Sequence, residues 1–142
     1  MMAQSQPWTK LSMGYQECLK ILKNDKLEFY GAFYGEKLVG FILIDMNGAL
    51  RGYIKILCVD AKNRGAGVGE KLLKFAEKRV FSIYPNVFLC VSSFNRKAQK
   101  FYKKAGYKKV GILKDFLIKG ADEYIFRKTK GPIMSAKYQK NS

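Results

Sequence analysis

The sequence contains no histidine. That removes Ser-His-Asp and Cys-His catalysis and most zinc or iron sites, whose ligand sets lean on imidazole. Cysteine is scarce: Cys18, Cys58 and Cys90 are widely spaced, odd in number and never form Cys-x-x-Cys. Cys58 and Cys90 each sit inside an apolar strand-like run, so reduced core thiols are expected, with no disulfide frame and no metal. Acidic residues are also few, 11 against 27 Lys and Arg, which leaves a formal net charge of +16. Such a chain attracts polyanions over long range, whether nucleic acid, anionic lipid or a multiply phosphorylated small molecule, and the sign alone does not choose. No apolar run approaches the roughly 20 residues that span a bilayer. The opening "MMAQSQPWTKLSMGYQECLK" lacks the charged-then-apolar order of a secretory signal, so the expectation is a cytoplasmic protein with no membrane partner. Chemistry is left to Tyr, Lys, carboxylates and backbone.

What is present describes a folded chain. A composition 48% hydrophobic and 14% aromatic over 142 residues fits one domain, 1–142, with a core over about 10–130 and a tail over 131–142. Apolar residues at helical spacing run from Leu11 to Lys23. "KLEFYGAFY" and "KLVGFILID" read as a hairpin about Gly35-Glu36, and "LRGYIKILCV" as a third antiparallel strand after the Asn47-Gly48 turn signal. A helix from Val68 to about Phe81 and the unbroken apolar strand "VFLCV" complete a βαβ crossover with parallel strands. A helix from about Asn95 to Ala105-Gly106 follows, and then two strands about Lys119-Gly120. The fold class is α/β (α+β): a mixed, mostly antiparallel twisted sheet with a central parallel pair, flanked by helices.

Between the third strand and its helix lies "VDAKNRGAGVGEKLL", Val59 to Leu73. Strand, short loop, glycines and helix aim unsatisfied N–H groups and the positive end of a helix dipole at one point, where an anion belongs. Glycine at Gly65, Gly67 and Gly69 lets a phosphate approach the amides, and Arg64 adds a charge-assisted bond. The spacing is not that of a P-loop, because Lys71 follows Glu70 and precedes Leu72. Nor is it the dinucleotide fingerprint, because the sixth position from Gly65 is Glu70. A glycine turn that only packs the helix tightly on its strand is the structural alternative.

Arg64-Gly65-Ala66-Gly67-Val68-Gly69 resembles the Arg/Gln-x-x-Gly-x-Gly/Ala signature of the GNAT superfamily, the acetyl-CoA-dependent N-acetyltransferases. "NRKAQKFYKKAGYKKVG" is similar to the same family's Asn-x-x-Ala-x-x-Phe-Tyr-x-x-x-Gly-Phe/Tyr segment, at Asn95, Ala98, Phe101, Tyr102, Gly106 and Tyr107. With the order of elements, the resemblance covers about Leu27 to Lys128. It implies acetyl-CoA as co-substrate, with the pyrophosphate on Arg64, Gly65, Ala66, Gly67, Val68 and Gly69. It implies a splayed parallel pair holding the pantetheine arm against Leu57, Cys58 and Val59. Asn95 is implied as a bond to that arm, against the plain alternative of a helix N-cap. Tyr102 is implied as the general acid that protonates the departing thiolate, against the alternative of a mere apolar helix face. Arg96, Lys97, Lys100 and Lys103 stand where they would hold the adenosine 3′-phosphate.

Two departures from the family pattern bear on function. Many members carry a glutamate on the strand before the glycine loop, and that place here belongs to Lys55. An ammonium cannot act as base, which leaves Asp45, Asp115, Asp122 and Glu123, through water, as unranked candidates. The family's first strand also has little counterpart in "AQSQPWTKL", so the sheet is expected to lack it. The leading expectation is acetyl transfer to a primary amine of a small molecule or a peptide or protein N-terminus. A strongly positive enzyme repels a cationic amine, so the acceptor is expected to carry acidic groups. A non-catalytic acetyl-CoA binder is the alternative, and a nucleic-acid module is disfavoured because the aromatics fall in patterned apolar runs. Monomer and homodimer both remain open.

Overall fold

The computed structural model describes residues 20–134. Six strands and two helices follow one another: β1 (Glu28–Tyr34), β2 (Lys37–Asp45), β3 (Tyr53–Val59), α1 (Val68–Phe81), β4 (Asn86–Ser92), α2 (Arg96–Lys104), β5 (Lys108–Ile118) and β6 (Ala121–Thr129). Of the helix expected over Leu11–Lys23, residues 20–23 are described: 20–22 are helical and Lys23 stands in a turn. The rest of that helix, Cys18, the question of an additional first strand and residues 135–142 of the tail lie outside the described residues.

The strands form one sheet in the order β1-β2-β3-β4-β6-β5, antiparallel everywhere except between β3 and β4. Both hairpins fall where the turn residues place them, since Tyr34 pairs with Lys37 across Gly35-Glu36 and Ile118 with Ala121 across Lys119-Gly120. The third strand starts at Tyr53 rather than Leu50. Gly52 sets that limit: its φ of +87° turns the chain, and a Cβ there would stand 2.5 Å from Val80 Cγ1 and 2.6 Å from the Asn86 carbonyl oxygen. Asp45 closes the preceding turn by accepting from the backbone N–H of Asn47 and Gly48 at 3.0 and 2.9 Å.

α1 buries Leu72, Leu73, Ala76 and Val80, a stripe at helical spacing, against Val39, Ile42, Ile44, Val87, Leu89 and Phe126 of the sheet. Each such aliphatic side chain taken fully from water contributes about 1.5–3 kcal/mol. The opposite face carries a smaller cluster, Phe41, Leu43, Ile56 and Cys58, with Ile21, Leu22 and Leu27 packed on it. β2 is therefore covered on both sides, and its residues Val39 to Ile44 are buried without alternation.

A polar knot ties the end of α2 to α1. The Tyr107 hydroxyl donates to Glu77 Oε2 at 2.9 Å, while Lys128 Nζ donates to Glu77 Oε1 at 3.0 Å and to the Ala105 carbonyl at 2.9 Å. Burial first, and then the Glu77 carboxylate, push the Tyr107 phenol well above its ordinary acidity, so it stays a donor at every physiological pH. Tyr107→Phe keeps the ring and leaves Glu77 with Lys128 alone; a loss of about 1 kcal/mol in urea denaturation is the expected outcome.

Candidate active site

β3 and β4 pair at only two positions, Tyr53↔Phe88 and Ile54↔Leu89. Past these the strands separate, yet each stays held by its outer neighbour: β3 to β2 as far as Gly40↔Val59, and β4 to β6 as far as Ser92↔Glu123. The inner edge of β3 from Lys55 to Val59 thus has no strand beside it, although Arg64 already donates to the Val59 carbonyl. An extended molecule with amides of its own can pair there, as an added strand would.

The gap opens into a cleft of about 820 Å³ on the helix side of the sheet. Ten of the eleven residues predicted to bind the donor line it: Leu57, Cys58, Val59, Arg64, Gly65, Gly67, Val68, Gly69, Asn95 and Tyr102. Ala66 does not. Of the four basic residues assigned to a phosphate, Arg96 and Lys97 line the cleft and Lys100 and Lys103 do not. The sequence reading passed over Asn63, Glu70 and Phe94 as lining residues. No spacing rule marks them; proximity to Arg64, Gly69 and Asn95 in the chain is the only signal they carry.

Gly65 and Gly67 have φ of +82° and +81°, and a Cβ added at either meets nothing within 4 Å. Tight packing is therefore not what these two glycines serve; they supply a left-handed backbone beside open space. Gly67 is the N-cap of α1, and no side chain caps the helix there. The Lys71 N–H is bonded to the Gly67 carbonyl at 3.1 Å, so the amides of Val68, Gly69 and Glu70 precede the first intrahelical donor. Together with the helix dipole they make a place for negative charge. Gly69 is different: a Cβ there would sit 3.5 Å from Phe101 Cζ, where α1 meets α2. Arg64 folds toward the strand end, its Nε donating to the Val59 carbonyl at 3.3 Å.

Asn95 caps α2: its Oδ1 accepts from the Ala98 N–H at 3.2 Å. The two readings of this residue are compatible, because capping uses the carboxamide oxygen and leaves the Nδ2 hydrogens to donate into the cleft. Tyr102 is buried, its ring edge-on to Phe101 and Tyr107 with centroids 5.1 and 5.7 Å apart. Its hydroxyl makes no hydrogen bond among the described residues, and burial alone raises its pKa above the ordinary phenol value. It is a neutral O–H at the wall of the cleft.

The residues considered for a base part ways. Asp45 is spent on the β2–β3 turn. Asp115 accepts from the Gly120 N–H at 2.7 Å and Asp122 from the Asp115 N–H at 3.2 Å, both within the β5–β6 hairpin. Glu123 is buried, 7% exposed. Lys55, at the family's glutamate position, is exposed.

A cleft of this kind suits an extended ligand with a negatively charged end, met by the start of α1. The pattern of the Acetyltransferase (GNAT) family matches residues 2–107. An N-acetyltransferase of Methanocaldococcus jannaschii of uncharacterized activity is 33% identical over 112 residues, covering 75% of this chain and 71% of that protein. The N-alpha-acetyltransferase RimI of Mycobacterium tuberculosis is 30% identical over 107 residues, 72% of this chain and 66% of its own. Among solved structures, Arabidopsis thaliana Naa50 in complex with the bisubstrate analogue CoA-Ac-MVNAL superposes with a TM-score of 0.63 at 29% identity, covering 71% of this chain and 72% of that one. The chain belongs to the GNAT family and is an acyltransferase.

A matched pair of substitutions separates the cradle from mere backbone strain. Gly67 and Gly120 have φ of +81° and +83° with open space around both, but only Gly67 lies at the cleft. Gly67→Ala and Gly120→Ala should each cost about 1 kcal/mol of stability. Only Gly67→Ala should weaken coenzyme A binding measured by calorimetry, by several-fold.

Proposed function

We propose that the protein moves the acetyl group of acetyl-CoA to a primary amine, with a peptide or protein N-terminal α-amino group as the preferred acceptor. The observation that carries this reading is the coincidence, in one cleft, of the start of α1 with no side-chain cap, the edge of β3 beyond its last contact with β4 and the hydroxyl of Tyr102. The α-amino preference draws support from the relatives named as N-alpha-acetyltransferases and from the peptide-bearing analogue bound to the Arabidopsis protein. An α-amino group also has a pKa of about 8 against about 10.4 for lysine, so more of it is neutral and nucleophilic near pH 7.

In this reading the pyrophosphate rests on the loop and on the amides of Val68, Gly69 and Glu70. Arg96 and Lys97 meet the 3′-phosphate. The pantetheine amides pair with the edge of β3 at Leu57 to Val59, and Asn95 Nδ2 donates to the arm from the other side. The amine nitrogen attacks the thioester carbonyl, the C–N bond forms, and the C–S bond breaks. Tyr102 gives its proton to the departing sulfur. Burial that raises the phenol's pKa would also raise that of a thiol held beside it, so the proton transfer is not left uphill by the Tyr102 shift alone.

Tyr102→Phe should lower kcat for free-thiol release by about 10²-fold or more while coenzyme A binds as before; unchanged rates would remove Tyr102 from the mechanism. The acceptor class has its own test, because a net charge of +16 favours acceptors with acidic groups. Across a panel of amines, kcat/KM should be highest for peptides with Asp or Glu near the N-terminus. Simple polyamines as the best substrates would contradict the acidic-acceptor reading. Coenzyme binding without turnover on any amine would mark the protein as a binder, the reading that Lys55 at the glutamate position leaves standing.

A further inference from the structure

Side chains alternate across the sheet, and the alternation sorts the buried groups near the gap. Ile54, Leu89, Val91, Tyr124 and Phe126 belong to the core under α1. Tyr53, Cys90, Ser92 and Glu123 therefore point to the other face, and Ser92 stands directly opposite Glu123 in the β4–β6 register. The donor cleft opens on the helix face, so an acceptor reaches the thioester through the gap from the face that carries these four residues.

Glu123 is 7% exposed, its carboxylate makes no ion pair among the described residues, and its polar neighbour is the Ser92 hydroxyl on the facing strand. The other buried carboxylate, Glu77, is bound on both oxygens. The Ser92 hydroxyl beside Glu123 is buried and without a partner meeting hydrogen-bond geometry, although it lies close enough to favour the Glu123 carboxylate slightly. A largely buried carboxylate with a hydroxyl and no cation beside it costs stability, which a structural role alone does not offset. The groups that face it are Tyr53 from β3, Cys90 and Ser92 from β4 and, across from it on β5, Leu113. None is a cation. Burial holds the carboxyl above its ordinary range, and the same cause keeps the neighbouring Tyr53 phenol and Cys90 thiol neutral. Tyr53 belongs to the short β3–β4 contact, Tyr53↔Phe88, and Ser92 to the stretch of β4 beyond it, so the cluster flanks the gap on this face.

We propose that Glu123 is the proton acceptor for the incoming amine, taking over from the neighbouring strand the role that Lys55 cannot perform. The inference rests on the acetyltransferase reading above. The ammonium of the acceptor gives one proton to the Glu123 carboxylate, which releases it to solvent after turnover. The freed lone pair attacks the thioester carbon. As the C–S bond breaks, Tyr102 protonates the sulfur, and the second proton on the new amide nitrogen restores the Tyr102 hydroxyl. One proton leaves overall, as conversion of an ammonium and a thioester to an amide and a thiol requires.

The test compares wild-type protein with Glu123→Gln and Glu123→Asp, reading thiol release from acetyl-CoA with an acidic peptide across pH and coenzyme A affinity separately. A base must be deprotonated, so wild-type kcat/KM should fall as pH drops through the raised carboxyl pKa. Glu123→Gln should lose that acid limb and at least tenfold in kcat, with coenzyme affinity within twofold of wild type. Glu123→Asp should retain the limb. A Glu123→Gln enzyme with wild-type kcat and pH profile overturns the proposal and leaves the acetyltransferase reading intact, whereas wild-type protein inactive on every amine overturns both. Should Glu123→Gln fail to fold, carboxyl-carbon NMR of ¹³C-glutamate-labelled wild type decides. A glutamate titrating above the ordinary range and perturbed by the acceptor peptide supports the assignment; all glutamates titrating normally overturns it.

Discussion

The parallel contact between β3 and β4 ends after Ile54↔Leu89, and the working parts of the molecule depend on its ending there. A sheet opened in its interior leaves backbone groups facing a gap, and it stays folded only if both lips are held from outside. β2 holds one lip to Val59 and β6 holds the other to Ser92. The opening is thus stable as a structure and has no strand beside β3 along one edge. The stability comes from the antiparallel pairing on either side.

The two helices turn that opening into a site with a polarity. α1 begins under one end with Gly67 in a left-handed conformation and no capping side chain, which concentrates positive potential at the mouth. α2 begins with Asn95 capping its own helix and carries Tyr102 to the wall. The Tyr107–Glu77–Lys128 knot holds the far end of α2 against α1, so the tyrosine is positioned by buried polar bonds as well as by packing. Negative charge is favoured at one end of the cleft, and the neutral Tyr102 hydroxyl stands at its wall.

Legibility in the sequence followed locality. The glycine loop and the Asn95–Tyr107 segment are contiguous, and each residue's task depends on neighbours within one turn of chain; seven of the eight residues assigned from them to the donor line the cleft. Hairpins at Gly35-Glu36 and Lys119-Gly120 were legible for the same reason. Long-range facts were not. Nothing in "VFLCV" says that β6 rather than β5 lies beside β4, and without that order Glu123 cannot be set opposite Ser92. Asp45, Asp115 and Asp122 look equivalent to Glu123 as letters; only their backbone bonds in turns remove them from contention. The start of β3 was misread by three residues because Gly52 answers to Val80 and Asn86, far along the chain.

The central claim is that the coenzyme lies between the separated strands with its phosphates on the start of α1. Titrating ¹⁵N-labelled protein with coenzyme A and following the backbone amides tests it directly. The account predicts the largest shifts at Gly65 to Glu70 and at Leu57 to Val59, with little change at Lys74, Lys78, Lys128 and Lys130, which line a second hollow among the described residues. Shifts concentrated at those lysines, with the glycine amides unmoved, would contradict it.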